Sequence, residues 1–319
     1  MTTERQPLIW TGKDTAVILC VSANPSLDNL LVTTRLQWGR KICPHRWTVV
    51  PGGGAVRAAW IARELKADVA VTGFIAGRAG RMHTELLDAA GIHHNYLEVS
   101  GETRGKIFVM DDDSGLATEF AGPGPTLSAS DALGLVARVR EMCGPGDWVI
   151  ISGSIPLSGP SDLYYHLTRA ARAAGAKVAL DSRGTPMMHG LKAVPDIWKP
   201  NAEEMQEAMA LGVDPVDLCE QGTIILLSEG SNGLCLFVPG RKPCRYAPPR
   251  RKPWNPAGSG TALLAATVVA LQEGKDIETA VAWGLAAGVA NMRYDIPGFA
   301  TQEDLEELTP LVLALDATD

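Results

Sequence analysis

Two glycine-rich turns in this chain have the composition of anion sites: Pro51-Gly52-Gly53-Gly54-Ala55 and Gly258-Ser259-Gly260. Each opens a helical stretch. Glycines at a helix N-terminus let exposed N–H groups approach a phosphate, and the helix dipole favours the negative charge. Neither turn fits GxxxxGK[ST], which excludes a Walker-type NTPase, and no GxGxxG follows a strand, so a dinucleotide fold lacks its fingerprint. On its own each cluster reads as a tight turn. The stretch after Gly260, TALLAATVVAL, is apolar nearly all round and is expected at the centre of the fold. A buried helix aimed at a cleft makes Gly258-Ser259-Gly260 the stronger candidate.

Polar residues follow several apolar runs. Asn24-Pro25-Ser26-Leu27-Asp28 comes after the first, and Ser152-Gly153-Ser154-Ile155-Pro156 after WVI. Trp198-Lys199-Pro200-Asn201-Ala202-Glu203-Glu204 and Leu227-Ser228-Glu229-Gly230-Ser231-Asn232-Gly233 end two more. Taken singly, each is a capping or turn sequence. Arg250-Arg251-Lys252 reads either as a solvated basic turn or as a phosphate contact, since Arg and Lys suit phosphate oxygens. No catalytic role is assigned to His83 or His93-His94, which are placed on a helix or the turn after it.

The elements that must position these groups alternate in type. The apolar runs AVILCV (16–21), VAVTGF (69–74), WVIIS (148–152), KVAL (177–180) and TIILLS (223–228) read as strands. Between them lie helical stretches at 54–65, 83–90, 128–142, 161–174 and 203–209. In the third, Ser128 is a candidate N-cap, and Leu133, Val136, Val139 and Met142 mark the expected buried face. Continuous apolar strands alternating with helices predict a parallel sheet covered on both faces, with ligands outside the strands' carboxyl ends. Two segments break the alternation, 26–50 and 101–122. They read as a small antiparallel flap, and the acidic run at 111–113 as its solvated turn.

Composition narrows the classes. With 46% apolar residues over 319 positions the chain can bury a core without staples. A net charge of −7 argues against a nucleic-acid binder. The six cysteines form no CxxC pair and no zinc spacing, so they are expected as small core hydrophobes in a reducing compartment. The opening MTTERQPLIWTGKD has no apolar h-region and reads as a frayed start. The apolar run at 262–271 is too short to span a bilayer. No membrane association and a cytoplasmic location are expected.

In this order and at these separations, the strand-end sequences resemble the ribokinase/PfkB sugar-kinase family, in the branch of the phosphofructokinases and tagatose-6-phosphate kinases. The resemblance runs from about residue 17 to 295. It implies a single ribokinase-like domain over 1–319, a three-layer α/β sandwich with a mainly parallel sheet and a small β-lid from 26–50 and 101–122. It implies ATP and Mg²⁺ as cofactors, a ketohexose phosphate as acceptor, and a homodimer formed through the lid. NPSLD resembles the branch's NPA/S-x-D, which puts Asp28 at sugar hydroxyls. PGGGAVRAA resembles Gly-Gly-Lys-Gly-x-Asn-x-Ala, which puts Gly53 and Gly54 at the substrate. Thr103-Arg104 and SGSIP imply Arg104 and Ser154 on the substrate phosphate; Arg40 or Lys41 would supply the branch's further basic residue. WKPNAEEM resembles KPNxxEL, implying Lys199 and Asn201 near nucleotide phosphates and Glu204 near Mg²⁺ through water. LSEGSNGL implies Ser228, Gly230 and Gly233 at the nucleotide.

Three departures bear on activity. The family's anion hole reads Gly-Ala-Gly-Asp, and its Asp takes the proton from the sugar hydroxyl. This chain has Gly258-Ser259-Gly260-Thr261. Threonine cannot act as a general base near neutral pH. Arg57 stands where the glycine motif has Asn, and Lys106 stands where Thr-Arg-x-Asn has its Asn. The residues thus leave three readings open: a slow phosphosugar kinase, a sugar-phosphate or nucleotide sensor without catalysis, and a different reaction on a more anionic substrate.

Overall fold

The apolar runs become strands because aliphatic and β-branched side chains suit a sheet covered on both sides. The computed structural model describes residues 15–250 and 257–315. Along the first half lie β1 (Ile18–Ser22), β2 (Ser26–Thr33), β3 (Arg46–Gly52), α1 (Gly54–Glu64), β4 (Val69–Ile75), α2 (Gly77–Ala89), β5 (His93–His94) and β6 (Leu97–Glu98). There follow β7 (Arg104–Asp111), β8 (Leu116–Ala121), α3 (Ala129–Met142), β9 (Trp148–Ser152), α4 (Leu163–Ala173), β10 (Lys177–Asp181) and α5 (Gly184–Leu191). The rest comprises β11 (Ile197–Trp198), α6 (Ala202–Ala210), α7 (Pro215–Glu220), β12 (Ile224–Ser228), β13 (Leu234–Phe237) and β14 (Cys244–Ala247). Last come α8 (Ser259–Gln272), α9 (Ile277–Asn291), α10 (Gln302–Leu308) and β15 (Leu313–Leu315).

The main sheet has the order β15-β14-β13-β12-β11-β10-β9-β1-β4-β5. It is parallel from β12 to β5 and antiparallel from β12 to β15. Alternate residues of one strand feed different layers, as a pleated strand requires. On β1, Ile18 and Cys20 join Ala58 of α1, Leu264 of α8 and Ala287 of α9. Leu19 and Val21 join Leu135 of α3, Leu167 of α4 and Met187 of α5. Helices therefore cover both faces in a three-layer sandwich, and residues 262–270 of α8 are buried throughout. Among the described residues no helix is long and apolar enough to cross a membrane.

A second sheet of order β3-β2-β7-β8 stands apart as the lid. Its outer pairs are antiparallel, as expected, but β2 and β7 at its centre pair in parallel. Both strands leave the main sheet and run outward from it, so the flap is mixed rather than antiparallel. Thr103 holds the second crossing: its N–H donates to Ala76 O at 2.9 Å, and its Oγ1 accepts from Ala76 N–H at 2.9 Å. At the first crossing His83 Nδ1 lies 2.9 Å from Ser26 O and Nε2 3.0 Å from the Tyr96 hydroxyl. Asp111 closes the turn after β7 by accepting N–H bonds from Asp113, Ser114 and Leu36.

Two further expectations need correction. Ser128 caps α3 in a capping box with Asp131, but the buried face is Ala132, Leu135, Val139 and Met142, and Leu133 is exposed. Steps of three alone drift round a helix with 3.6 residues per turn; alternating three and four keeps one stripe inward. His83 does lie on a helix, whereas His93-His94 form β5, hydrogen-bonded beside β4. Of the cysteines, Cys20, Cys143, Cys219 and Cys235 are buried, Cys244 is half-buried and Cys43 is exposed; all are free.

Candidate active site

The carboxyl ends of β1, β9, β10, β11 and β12 line up because their parallel pairing is in register, Asp181 beside Ser152 and Trp198 beside Ile225. Two helix N-termini close on that edge. A Cβ at Gly54, the first residue of α1, would sit 2.3 Å from Ser152 Oγ, and one at Gly260 would sit 3.1 Å from Lys199 Nζ. Gly258 caps α8 at φ 86°, a left-handed conformation that suits glycine. The turn is held from behind by the buried Asn291, whose Nδ2 donates to Ala257 O and Ser259 Oγ, both at 3.0 Å. Asn291 Oδ1 accepts from the Gly298 and Phe299 N–H groups, fixing the 298–299 loop against the same helix end.

Lys199, 4% exposed, carries its ammonium to this helix end and pairs with Asp181 Oδ1 at 3.2 Å. Asp181 Oδ2 accepts from Ser152 Oγ at 3.1 Å. Asn201 and Glu204 form the capping box of α6: Glu204 N–H donates to Asn201 Oδ1 at 2.8 Å, and Asn201 N–H to Glu204 Oε2 at 2.9 Å. Burial pushes the Glu204 carboxyl above its ordinary range; the Asn201 N–H and Lys199 oppose this. Ser228 bridges to Asn201 and donates its hydroxyl to Pro200 O at 3.1 Å. Beyond it Gly230 and Gly233 shape the open loop between β12 and β13. Lys199, Asn201, Glu204 and Ser228 are thus one contiguous surface. Among the described residues no group of three or more His, Cys, Asp or Glu is arranged to hold a metal. A divalent ion here would rest on nucleotide phosphates and water, a mode that suits Mg²⁺.

The other half of the cleft lies under the lid. Alternation along β7 turns Arg104, Lys106 and Phe108 to one face, and register sets Arg104 beside Ser26 and Lys106 beside Asp28. Arg104 makes no hydrogen bond or ion pair among the described residues, and its Nε is buried without a partner. Burial pushes its guanidinium below the ordinary value, while Asp28, Glu119 and Tyr164 oppose this. Ser154 Oγ accepts from Asn24 Nδ2 at 3.4 Å, and the neighbouring Gly153 O accepts from the Tyr164 hydroxyl at 3.0 Å. Gly53 is the N-cap of α1. Asp28, expected at the sugar, is fully buried with both carboxylate oxygens engaged: Oδ1 by Ser26 Oγ at 2.6 Å and Oδ2 by Arg57 Nη2 at 2.7 Å.

Thr261 sits in the first turn of α8 beside Gly260, as the sequence implies. Asp181 reaches this helix end through Lys199. Sequence reasoning missed it by ending the KVAL strand one residue early, although Asp181-Ser182 ends β10 just as the other polar pairs end theirs. Phe108, Tyr164 and Asn291 were missed too; no local signal marks them. Arg40, Lys41 and Arg250 are exposed, and Arg251 and Lys252 lie outside the described residues.

A three-layer sandwich with a β-lid over a strand-end cleft and a central helix N-terminus is the architecture of a ribokinase-like kinase. The chain belongs to the pfkB family of carbohydrate kinases, whose model matches residues 31–300. It is 26% identical over 306 residues to 1-phosphofructokinase of Bacillus subtilis strain 168, covering 93% of this chain and 98% of that protein. It is 30% identical over 240 residues to 1-phosphofructokinase of Rhodobacter capsulatus, covering 72% and 76%. The fold matches Escherichia coli phosphofructokinase-2 in complex with fructose-6-phosphate, with a TM-score of 0.84, 23% identity and coverage of 93% and 99%. Arabidopsis thaliana ribokinase complexed with ribose and ATP matches with a TM-score of 0.69, 21% identity and coverage of 92% and 99%.

Proposed function

We propose that this chain is a slow, ATP-dependent phosphosugar kinase, its acceptor a sugar phosphate of the ketohexose-phosphate type that its relatives' names indicate. The observation that carries this reading is Arg104: a largely buried guanidinium with an unpartnered Nε, facing the strand ends from under the lid. A buried donor without an acceptor is costly, and a substrate phosphate would satisfy it with charge-assisted bonds. Ser154 is the second phosphate contact, and Gly53 and Gly54 border the sugar. Lys199, Asn201, Ser228, Gly230 and Gly233 hold the nucleotide, and Glu204, with Asp181, faces Mg²⁺ through water.

Bound ATP would supply the transferable γ-phosphoryl group, with Mg²⁺ offsetting its charge. In the transfer the acceptor oxygen bonds to the γ-phosphorus, the bond to the β,γ-bridging oxygen breaks, and ADP leaves. The N–H groups at Gly258, Ser259 and Gly260, with the α8 dipole and Lys199, stabilise the charge that develops. The acceptor hydroxyl's proton has no base at Thr261, and Asp181 is already engaged by Lys199 and Ser152. The proton therefore passes to water, which makes the reaction slow.

Position 261 also favours a second reading, in which the cleft binds sugar phosphate and nucleotide without transferring phosphate. One experiment separates the two: a thermal-shift screen of sugar phosphates and nucleotides, followed by ADP release with the ligands that stabilise the fold. Stabilisation with slow ADP release supports the kinase, stabilisation without it the sensor, and no stabilisation by any sugar phosphate overturns both. In solution the chain acts as a homodimer joined through the outer face of the lid, where Trp47, Ile107 and Phe120 are exposed.

A further inference from the structure

The lid's inner face offers its ligand donors and almost no acceptors. Arg57 reaches from α1 to Asp28, and its Cζ lies 5.3 Å from the centre of the Phe108 ring. Lys106 Nζ lies 5.6 Å from the same ring. Two cations therefore converge on one aromatic side chain, with Arg104 two residues along the strand. The single fully buried carboxylate among them, Asp28, is spent. Its oxygens hold Ser26 and Arg57, and the backbone at Gly52 is pressed so closely that a Cβ there would fall 2.1–2.2 Å from its carboxyl atoms. Glu119 pairs with Lys106 at 2.5 Å from the rim of the sheet, 42% exposed.

Arg and Lys donate hydrogen bonds and cannot accept them. A sugar hydroxyl, which both donates and accepts, finds in this patch only the carboxylates of Asp28 and Glu119 to receive its proton, and both are already paired with cations. A carboxylate brings only acceptors, and planar guanidinium groups suit it. Burial lowers the basicity of both Arg104 and Lys106; Glu119 opposes this at both residues and Asp28 at Arg104, while repulsion among the three cations adds to it. An anion relieves that repulsion. The Arg57 stem also packs on Gly298, where a Cβ would meet Arg57 Cβ at 2.6 Å, so the guanidinium is fixed in place before any ligand arrives.

We infer that the acceptor carries a second acidic group besides its phosphate: a phosphorylated sugar acid, with the phosphate on Arg104 and the carboxylate on Arg57 and Lys106. This rests on the phosphosugar-kinase reading above and replaces its ketohexose phosphate with a sugar-acid phosphate. Calorimetry with three probes tests it: 6-phosphogluconate, glucitol 6-phosphate (the same open chain without the carboxylate) and fructose 6-phosphate. The expected result is at least about 10-fold tighter binding of 6-phosphogluconate than of either other probe, a margin of roughly 1.4 kcal/mol. Lys106→Gln, which strands no buried charge, should erase most of that margin while leaving glucitol 6-phosphate affinity within about 2-fold. Arg57→Gln should act the same way if it folds, and Lys106→Gln decides the matter if it does not. Equal affinity for 6-phosphogluconate and glucitol 6-phosphate, or tightest binding of fructose 6-phosphate, overturns the inference and leaves the phosphosugar reading standing. Binding of none of the three overturns the inference, and the thermal-shift screen of other sugar phosphates then decides the phosphosugar reading.

Discussion

Lys199 Nζ sits 3.2 Å from Asp181 Oδ1, and it is this pair, not a free carboxylate, that meets the N-terminus of α8 beside Gly260. With its other oxygen on Ser152 Oγ, Asp181 orients the ammonium. A cation fixed in this way can stabilise a developing phosphoryl charge. It cannot take a proton. In the proposed kinase the cleft keeps the electrostatic half of phosphoryl-transfer chemistry and lacks a base at position 261.

Restoring a base should therefore raise the rate. Thr261→Asp places a carboxylate in the first turn of α8, where the helix dipole tolerates it, so the fold should survive with little change. ADP release with a phosphosugar that binds should rise by about 10²–10⁴-fold, the usual contribution of a positioned base. An unchanged rate, with both ligands shown to bind, would mean that more than one residue has drifted from catalysis.

Arg104→Ala should weaken phosphosugar binding by at least about 10-fold, because a charge-assisted contact is worth roughly 1.5–3 kcal/mol. Calorimetry on the folded variant measures this directly. Unaltered affinity would place the substrate phosphate elsewhere.

The His83 imidazole is pushed down to about 4 by burial, against an ordinary value near 6.5. The unfolded chain therefore takes the proton first as pH falls. The stability held by the neutral ring is complete above about pH 6.5 and is lost as pH falls towards 4. Between pH 7.5 and 5 this amounts to about 2 kcal/mol. Urea midpoints at those two pH values should show the wild type losing more than His83→Gln. Parallel losses in both proteins would assign the acid sensitivity to other groups.

Ile107 and Phe120 face each other across β7 and β8 on the lid's outer surface, with Trp47 on the same side. Light scattering at micromolar concentration should give a dimer for the natural chain and a monomer for Ile107→Glu. A monomeric natural protein would remove the lid as an interface.

Much of the main sheet was legible, because continuous apolar runs such as WVIIS and TIILLS have few alternatives to buried parallel strands. The central position of α8 followed from the same logic. Relationships between distant segments were not legible. Nothing local to Asp28 or Arg57 announces that one will neutralise the other, and Asp181 acquires meaning only when Lys199 is brought beside it. The α3 face was misjudged because Leu133 is apolar yet exposed and Val136 packs only at the edge of the buried stripe, where Ala132 and Leu135 face the core. The lid's central pairing was hidden for a related reason: strand direction depends on how two remote segments leave the core.

That pairing also orders events in time. Asn29 and Lys106, which meet across β2 and β7, are 77 positions apart, and the segment between them contains α1, β4 and α2. Joining such remote strands costs loop entropy that is recovered only after the intervening units have docked. The lid thus pairs only after α1, β4 and α2 are in place, and the buried ion pair of Asp28 and Arg57 closes with it. A molecule with its helices docked but its lid strands unpaired would have no substrate pocket.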